Sequence, residues 1–161
     1  MKLEEILDNY NDNNLSREQA IFTSLFVIQN RLQTACEKIQ NELSMKQWLL
    51  LTIVSVCPTP HTLTNIGRMM GCSRQNVKKL VSILEAKGYI EIVKGNNNSV
   101  CIELTDKVNE YSNEISFKQV KILELLFKDF SEEEIKLFFN MIKKMYSGLN
   151  KIEEYVGEDN E

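Results

Sequence analysis

The segment from Thr62 to Ile90 restricts the possible folds of this chain more than any other part of its sequence. It reads TLTNIGRMMGCSRQNVKKLVSILEAKGYI. Thr62 and Ser73 can each cap the N-terminus of a helix. Gly71 and Gly88 can each end a helix in the left-handed conformation. Two short helices joined by a tight, glycine-containing turn are therefore predicted, an arrangement typical of a helix-turn-helix.

Two short runs of alternating residues follow this segment at once. Ile90–Lys94 and Val100–Leu104 alternate apolar and polar side chains with the period of two that a half-buried strand shows. The loop between them, residues 95–99, combines glycine and asparagines, which tolerate the backbone of a tight turn. A helix-turn-helix followed by a β-hairpin predicts a winged helix.

Helical signals continue on both sides of this core. Ser16, Ser44 and Ser131 are each followed three residues later by Gln or Glu, which is the pattern of a capping box. They predict helices over about 16–41, 44–56 and 131–155, and Thr105 is predicted to cap a further helix over about 106–128. The fold class is therefore mainly α with a small β-hairpin wing. Arms at residues 1–45 and 106–161 flank a winged helix-turn-helix at 46–105, within one domain overall.

The last predicted helix carries a wide apolar stripe that a small monomer has little core to cover. Its members recur at helical spacing: Ile135, Phe138, Phe139, Ile142, Met145, Tyr146, Leu149 and Ile152. A second copy of the chain is the natural cover for such a stripe, so we expect a homodimer through the helical arms.

Charge is unevenly distributed along the chain. The formal net charge of the 161 residues is −4, which by itself disfavours a nucleic-acid partner. Residues 62–107, however, carry seven Lys or Arg against four Asp or Glu, and the segments on either side are acidic. A basic segment between acidic flanks predicts one face directed at an anion.

The second predicted helix of the helix-turn-helix has a face suited to DNA. Its apolar residues Val77, Leu80, Val81 and Leu84 share one narrow side, which must face the core. The outward side is small, amide-bearing and basic, as the base edges and phosphates of a duplex require, although lysines there could also form an ordinary solvated face. The residues of this helix and its cap predicted to contact DNA are Ser73, Arg74, Gln75, Asn76, Lys78, Lys79 and Ser82. Arg68, on the preceding helix, is predicted with Arg74 to contact phosphates.

Other functions have less support in the sequence. An enzyme is disfavoured because the chain has one histidine, no glycine-rich phosphate loop and no clustered carboxylates on a credible site face. No catalytic residue, cofactor or metal site is predicted, since Cys57 and His61 alone are too few ligands for zinc. The main alternative is a winged helix that binds a protein partner instead of DNA.

No part of the sequence predicts contact with a membrane. Residues 1–11 are acidic and lack the apolar stretch of a signal peptide. The longest nearly apolar run has ten residues, whereas a membrane-spanning helix needs about 20. We therefore expect a cytoplasmic protein with reduced cysteines.

The chain resembles the MarR family of bacterial winged-helix regulators over nearly its whole length. The resemblance lies in residues 73–90, in the wing and in the Leu104-Thr105 pair that follows it. It implies a homodimer with intertwined arms, expected to be a repressor, that binds a pseudopalindromic DNA site. It also implies regulation of DNA binding by a small-molecule effector or an oxidant at a pocket between lobe and arms. Phe22, Phe26 and Trp48 are candidates to line that pocket unless they are core residues.

The wing departs from the family pattern. Members often carry an Asp-x-Arg at the wing tip, and Asn96 and Asn98 stand at those positions here. The resemblance thus places Asn96 and Asn98 at the DNA, with Lys94 as the charged residue of the wing. Because an amide releases no counterions, this tip is expected to add little electrostatic affinity.

Substitution of Asn98 by Arg should tighten binding to duplex DNA and steepen its dependence on salt, because a new cation at a phosphate releases a counterion. Titration of a labelled duplex at several salt concentrations measures both quantities. An unchanged affinity and slope would contradict the placement of the tip at the DNA.

Overall fold

The structure, a computed structural model, describes residues 16–39, 42–95 and 99–158. The chain divides into two compact units, Met1–Asn113 and Glu114–Glu161. Asn96 and Asn98 of the expected wing tip, and the end of the first predicted helix at residues 40–41, lie outside the described residues.

The order of helices and strands is the predicted one, and it confirms a mainly α fold with a small hairpin. In chain order the elements are α1 Arg17–Glu37, α2 Met45–Val56, α3 Leu63–Met70, α4 Arg74–Ala86, β1 Ile90–Lys94, β2 Val100–Leu104, α5 Lys107–Leu126 and α6 Glu132–Glu158. The first helix is shorter than expected, because the chain already leaves it at Lys38.

Local capping explains where these helices begin and end. The predicted capping boxes form at Ser16, Ser44 and Ser131, each with reciprocal hydrogen bonds to the residue three positions on. Gly71 and Gly88 follow α3 and α4 with φ angles of 62° and 77°, the left-handed region predicted for both. Side chains with a Cβ rarely adopt this region, so the two glycines fix the turns on either side of α4.

The core of the first unit lies between the helix-turn-helix and the base of the wing. Its largest fully buried side chains come from α2, α3, α4, the turn after α4 and both strands: Tyr89, Leu50, Ile66, Leu84, Ile90, Ile102, Val77 and Val81. β1 and β2 pair antiparallel with Ile92 opposite Ile102. The backbone N–H of Ile102 also donates to the carbonyl of His61 at 3.1 Å, which joins the wing to the segment before α3.

Helix α2 is less buried than its composition suggested. Leu50, Leu51 and Val54 are buried, but Leu49 is 39% and Val56 73% exposed. Although its sequence is nearly all apolar, this helix does not lie wholly in the core of the single chain. Only one side of α2 packs on the helix-turn-helix and on β2.

Aromatic residues of α1 are also exposed. Phe22 and Phe26 stack edge to face, with ring centroids 5.1 Å apart, and are 60% and 56% exposed. Neither belongs to the core of one chain, contrary to the usual role of aromatic side chains at helical spacing. Trp48 is half-buried.

The second unit consists of the remainder of α5 and all of α6. Phe130 connects the two helices, since its ring lies 5.6 Å from that of Phe127 and 6.2 Å from that of Phe138. Glu134 closes the capping box of α6: hydrogen bonds from the backbone N–H and the hydroxyl of Ser131 hold the pKa of this carboxyl below its usual value. The described apolar side chains of α6 are mostly exposed.

The turn between α3 and α4 depends on a close backbone approach at Gly67. A Cβ at this position would lie 2.8 Å from the carbonyl oxygen of Cys72, whose N–H donates to the carbonyl of Gly67. Substitution of Gly67 by Ala should therefore lower the free energy of unfolding by about 1–3 kcal/mol, as overpacking of a buried site generally does.

Urea denaturation followed by circular dichroism measures this loss. Thr64→Ala is the matched control, because Thr64 is exposed in the same helix and its replacement should change stability by no more than about 0.5 kcal/mol. Equal stabilities of the two variants would show that the turn adapts to a side chain at position 67.

Candidate nucleic-acid interface

The N-terminal end of α4 is exposed and electropositive. Ser73 caps the helix by accepting a hydrogen bond from the N–H of Asn76 at 3.3 Å. The first turn holds no acidic residue, so no carboxylate neutralises the positive end of the helix dipole. This end of α4 is therefore available to an anion.

The packing of α4 determines which side chains point outward. Val77, Val81 and Leu84 are fully buried, and Leu80 is half-buried, as the spacing predicted. All of the described side chains predicted to contact DNA are exposed: Arg68, Ser73, Arg74, Gln75, Asn76, Lys78, Lys79, Ser82 and Lys94.

A groove of about 440 Å³ runs between α4 and the wing. Four of the predicted residues line its helix side, namely Arg74, Gln75, Lys78 and Ser82. The other lining residues are apolar: Leu63, Val81, Ile92 and Val100. The groove thus has a cationic and amide-bearing wall on the helix and an apolar wall on the hairpin.

Sequence reasoning missed the apolar wall. Ile90 and Ile92 alternate with Glu91 and so share one face of the strand, yet Ile92 is 43% exposed while Ile90 is buried. The hairpin extends past the core at this point, so the same face that is buried at Ile90 borders the groove at Ile92. A strand pattern gives the face of a residue but not the point at which the core ends.

Arg68 and Lys94 lie outside the residues that line the groove. Arg68 is in the last turn of α3, and Lys94 ends β1 opposite Val100. The hydroxyl of Ser82 donates to the carbonyl of Lys78 at 3.1 Å, which leaves its oxygen free to accept a hydrogen bond. Within the described part of the chain, no carboxylate forms an ion pair with any of the cations predicted at the DNA.

The described residues contain neither a metal-ligand cluster nor a membrane-spanning helix. In 16–39, 42–95 and 99–158 no three His, Cys, Asp or Glu side chains are grouped as metal ligands. No helix in these ranges is both long and apolar enough to cross a membrane.

Helix-turn-helix, groove and hairpin together define a winged-helix protein. The sequence matches no model of a known protein family and no curated protein. Solved structures, however, match over most of the chain, and many of them are MarR family transcriptional regulators. The protein has the MarR-like winged-helix fold.

Three of these structures illustrate the likeness. A MarR/EmrR family regulator from Acinetobacter sp. ADP1 has 19% identity and a TM-score of 0.72, covering 85% of this chain and 99% of its own. The regulator SlyA has 20% identity and a TM-score of 0.69, covering 84% and 98%. A MarR family regulator from Neisseria meningitidis has 16% identity and a TM-score of 0.67, covering 85% and 96%.

Proposed function

We propose that this protein is a sequence-specific, double-stranded-DNA-binding transcriptional regulator, expected to be a repressor. The observation that carries the proposal is the outward face of α4, where unpaired cations and amides surround a helix N-terminus next to a wing. The fold shared with transcriptional regulators supports the same conclusion. No residue is assigned a catalytic role.

The geometry of α4 suits a major groove. Its 13 residues give a helix about 20 Å long at 1.5 Å per residue, and its exposed N-terminal half bears most of the contact residues. In this proposal Gln75 and Asn76 read adenine edges, while Lys78 and Lys79 bind guanine or phosphate. Arg68, Arg74 and Lys94 bind phosphates, which gives affinity and salt dependence but little sequence preference.

We further propose that the protein acts as a homodimer. The helical arms expose large apolar side chains in the single chain, among them Phe117 at 81% and Tyr155 at 67%. Isolated exposed apolar residues are common, but a series along α1, α5 and α6 is typical of a protein interface. Two copies related by a two-fold axis would present two α4 helices to a pseudopalindromic site.

Control by a small-molecule effector is proposed by analogy alone. One structural neighbour is an organohalide-sensing regulator in a form bound to 2,4-dichlorophenol, and another is the regulator PcaV from Streptomyces coelicolor in complex with its natural ligand. Their identities to this chain are 16% and 18%. The chemistry of an effector therefore cannot be transferred from these neighbours to this protein.

The proposed DNA contacts are tested by selecting bound fragments from the organism's own genomic DNA and measuring affinity for the recovered duplex. Replacing both Lys78 and Lys79 by Ala should weaken this binding about 30-fold or more, since two contacts worth roughly 1 kcal/mol or more each are lost. The salt dependence should also become less steep.

The double change at Lys143 and Lys144 is the matched control, because it removes an adjacent pair of exposed lysines from α6. It should leave operator affinity nearly unchanged. A wild-type protein that binds genomic fragments no better than random duplex would refute the proposed function. Capture of a protein partner that survives the Lys78 and Lys79 changes would favour the protein-binding alternative.

The proposed dimer is tested with Leu149→Asp, which places a charge in the apolar stripe of α6. Burying a leucine stabilises an interface by about 1.5–3 kcal/mol per copy, so the dimer dissociation constant should rise at least 100-fold. Analytical ultracentrifugation measures it, with Asn150→Asp, an exposed polar neighbour, as the control. A wild-type chain that is monomeric at micromolar concentration would contradict the proposal.

A further inference from the structure

The C-terminal end of α4 is held by residues that are distant from it in sequence. The last turn of α4 contains no basic residue of its own to complement the negative end of the helix. Instead, the ammonium of Lys107, in the first turn of α5, donates to the carbonyl of Lys87 at 3.0 Å. The hydroxyl of Thr105 donates to the carbonyl of Gly88 at 2.7 Å. Residues at the start of α5 therefore hold the turn that follows α4.

Lys107 also joins α4 to the segment before α2. Its ammonium lies 3.3 Å from a carboxylate oxygen of Glu42 and 4.6 Å above the centre of the Tyr89 ring. The ammonium of Lys87 donates to the backbone carbonyl of the same Glu42. Three chain segments thus meet at one pair of opposite charges.

Tyr89 contributes a buried aromatic ring to this meeting point. Its ring is fully buried and stacks edge to face on Tyr111 of α5, with centroids 5.7 Å apart. A hydrogen bond from Tyr89, followed by the hydrogen bond and charge of Lys107, holds the pKa of Glu42 below its usual value against the opposing effect of desolvation. The carboxylate of Glu42 is therefore charged at neutral pH and attracts the ammonium of Lys107.

We infer that Glu42 and Lys107 are positioning residues that set the orientation of α4 on DNA without touching the DNA themselves. The inference rests on the proposed function, because it assigns to α4 the reading of a duplex. Both residues contact the C-terminal end of α4 or its following turn, whereas most of the predicted DNA contacts on α4, from Arg74 to Lys79, lie in its N-terminal half. A helix held at one end by polar contacts and along one face by burial has little freedom to rotate in a groove.

Lys107→Met tests this role, since methionine keeps much of the apolar stem over Tyr89 but lacks the ammonium. The amides of Gly88 and Tyr89, which donate to Glu85 and Leu84, should exchange hydrogen faster in the variant without any DNA present. Affinity for the duplex selected by the wild-type protein should fall about 2- to 30-fold, the range typical of residues that act through others.

The salt dependence of binding separates a positioning residue from a direct contact. Loss of a phosphate contact lowers the slope of log affinity against log salt by about one, whereas loss of a positioning residue leaves the slope unchanged. Lys107→Met should therefore weaken binding by the same factor at every salt concentration, so that its plot of log affinity against log salt runs parallel to that of the wild type. Lys46→Met, which removes an exposed lysine from the start of α2, is the control for charge alone and should alter neither exchange nor affinity.

Glu42→Gln provides a second route if Lys107→Met fails to fold. It should produce the same changes in hydrogen exchange and DNA affinity to a smaller extent. The loss of affinity in the double variant should be smaller than the sum of the losses, in free energy, of the two single variants. Unchanged exchange at Gly88 and Tyr89 in the folded variants would overturn the inference. Faster exchange with unchanged DNA affinity, or a reduced salt slope, would overturn the positioning role.

These results are distinguishable from a failure of the proposed function. If the wild-type protein selects no duplex, the DNA-binding proposal fails, and with it the role of Glu42 and Lys107 in orienting α4 on DNA. The hydrogen-exchange comparison then still decides whether these two residues hold the end of α4.

Discussion

The burial of one narrow face of α4 is the constraint on which the rest of the first unit depends. Val77, Val81 and Leu84 are removed from solvent, so the helix cannot rotate without exposing them. This burial directs the amides and cations of the first two turns outward. The wing packs beside the same helix and forms the second wall of the groove. The character of the exposed face is therefore a consequence of packing on the opposite side.

The order and type of the helices and strands could be predicted because their signals are local. A serine with Gln or Glu three residues later specifies a helix start through hydrogen bonds within one turn. Gly71 and Gly88 specify helix ends through a backbone region that other residues avoid. These signals can be read without the tertiary structure, which is why the winged helix was evident from the sequence. The same fold is found in the three structures described above, whose identity to this chain is at most 20%.

Features that depend on long-range packing could not be predicted in the same way. The position of Ile92 beside the groove depends on how far the core extends beneath the hairpin, and periodicity carries no such information. Thr105 was expected to cap α5, and its hydroxyl donates to Gly88 at the end of α4. Glu42 and Lys107 are 65 positions apart, and no local pattern connects them. The exposure of Phe22 and Phe26 likewise depends on what surrounds a single chain.

The exposed apolar stripe of α6 has a consequence for gene dosage. If two chains must associate to cover it, the apparent free energy of unfolding of each arm depends on the concentration of the protein. At low expression most chains are then single, and occupancy of a two-fold DNA site rises with the square of chain concentration. A regulator built in this way responds more sharply to a change in its own abundance than one whose single chain presents a complete binding surface.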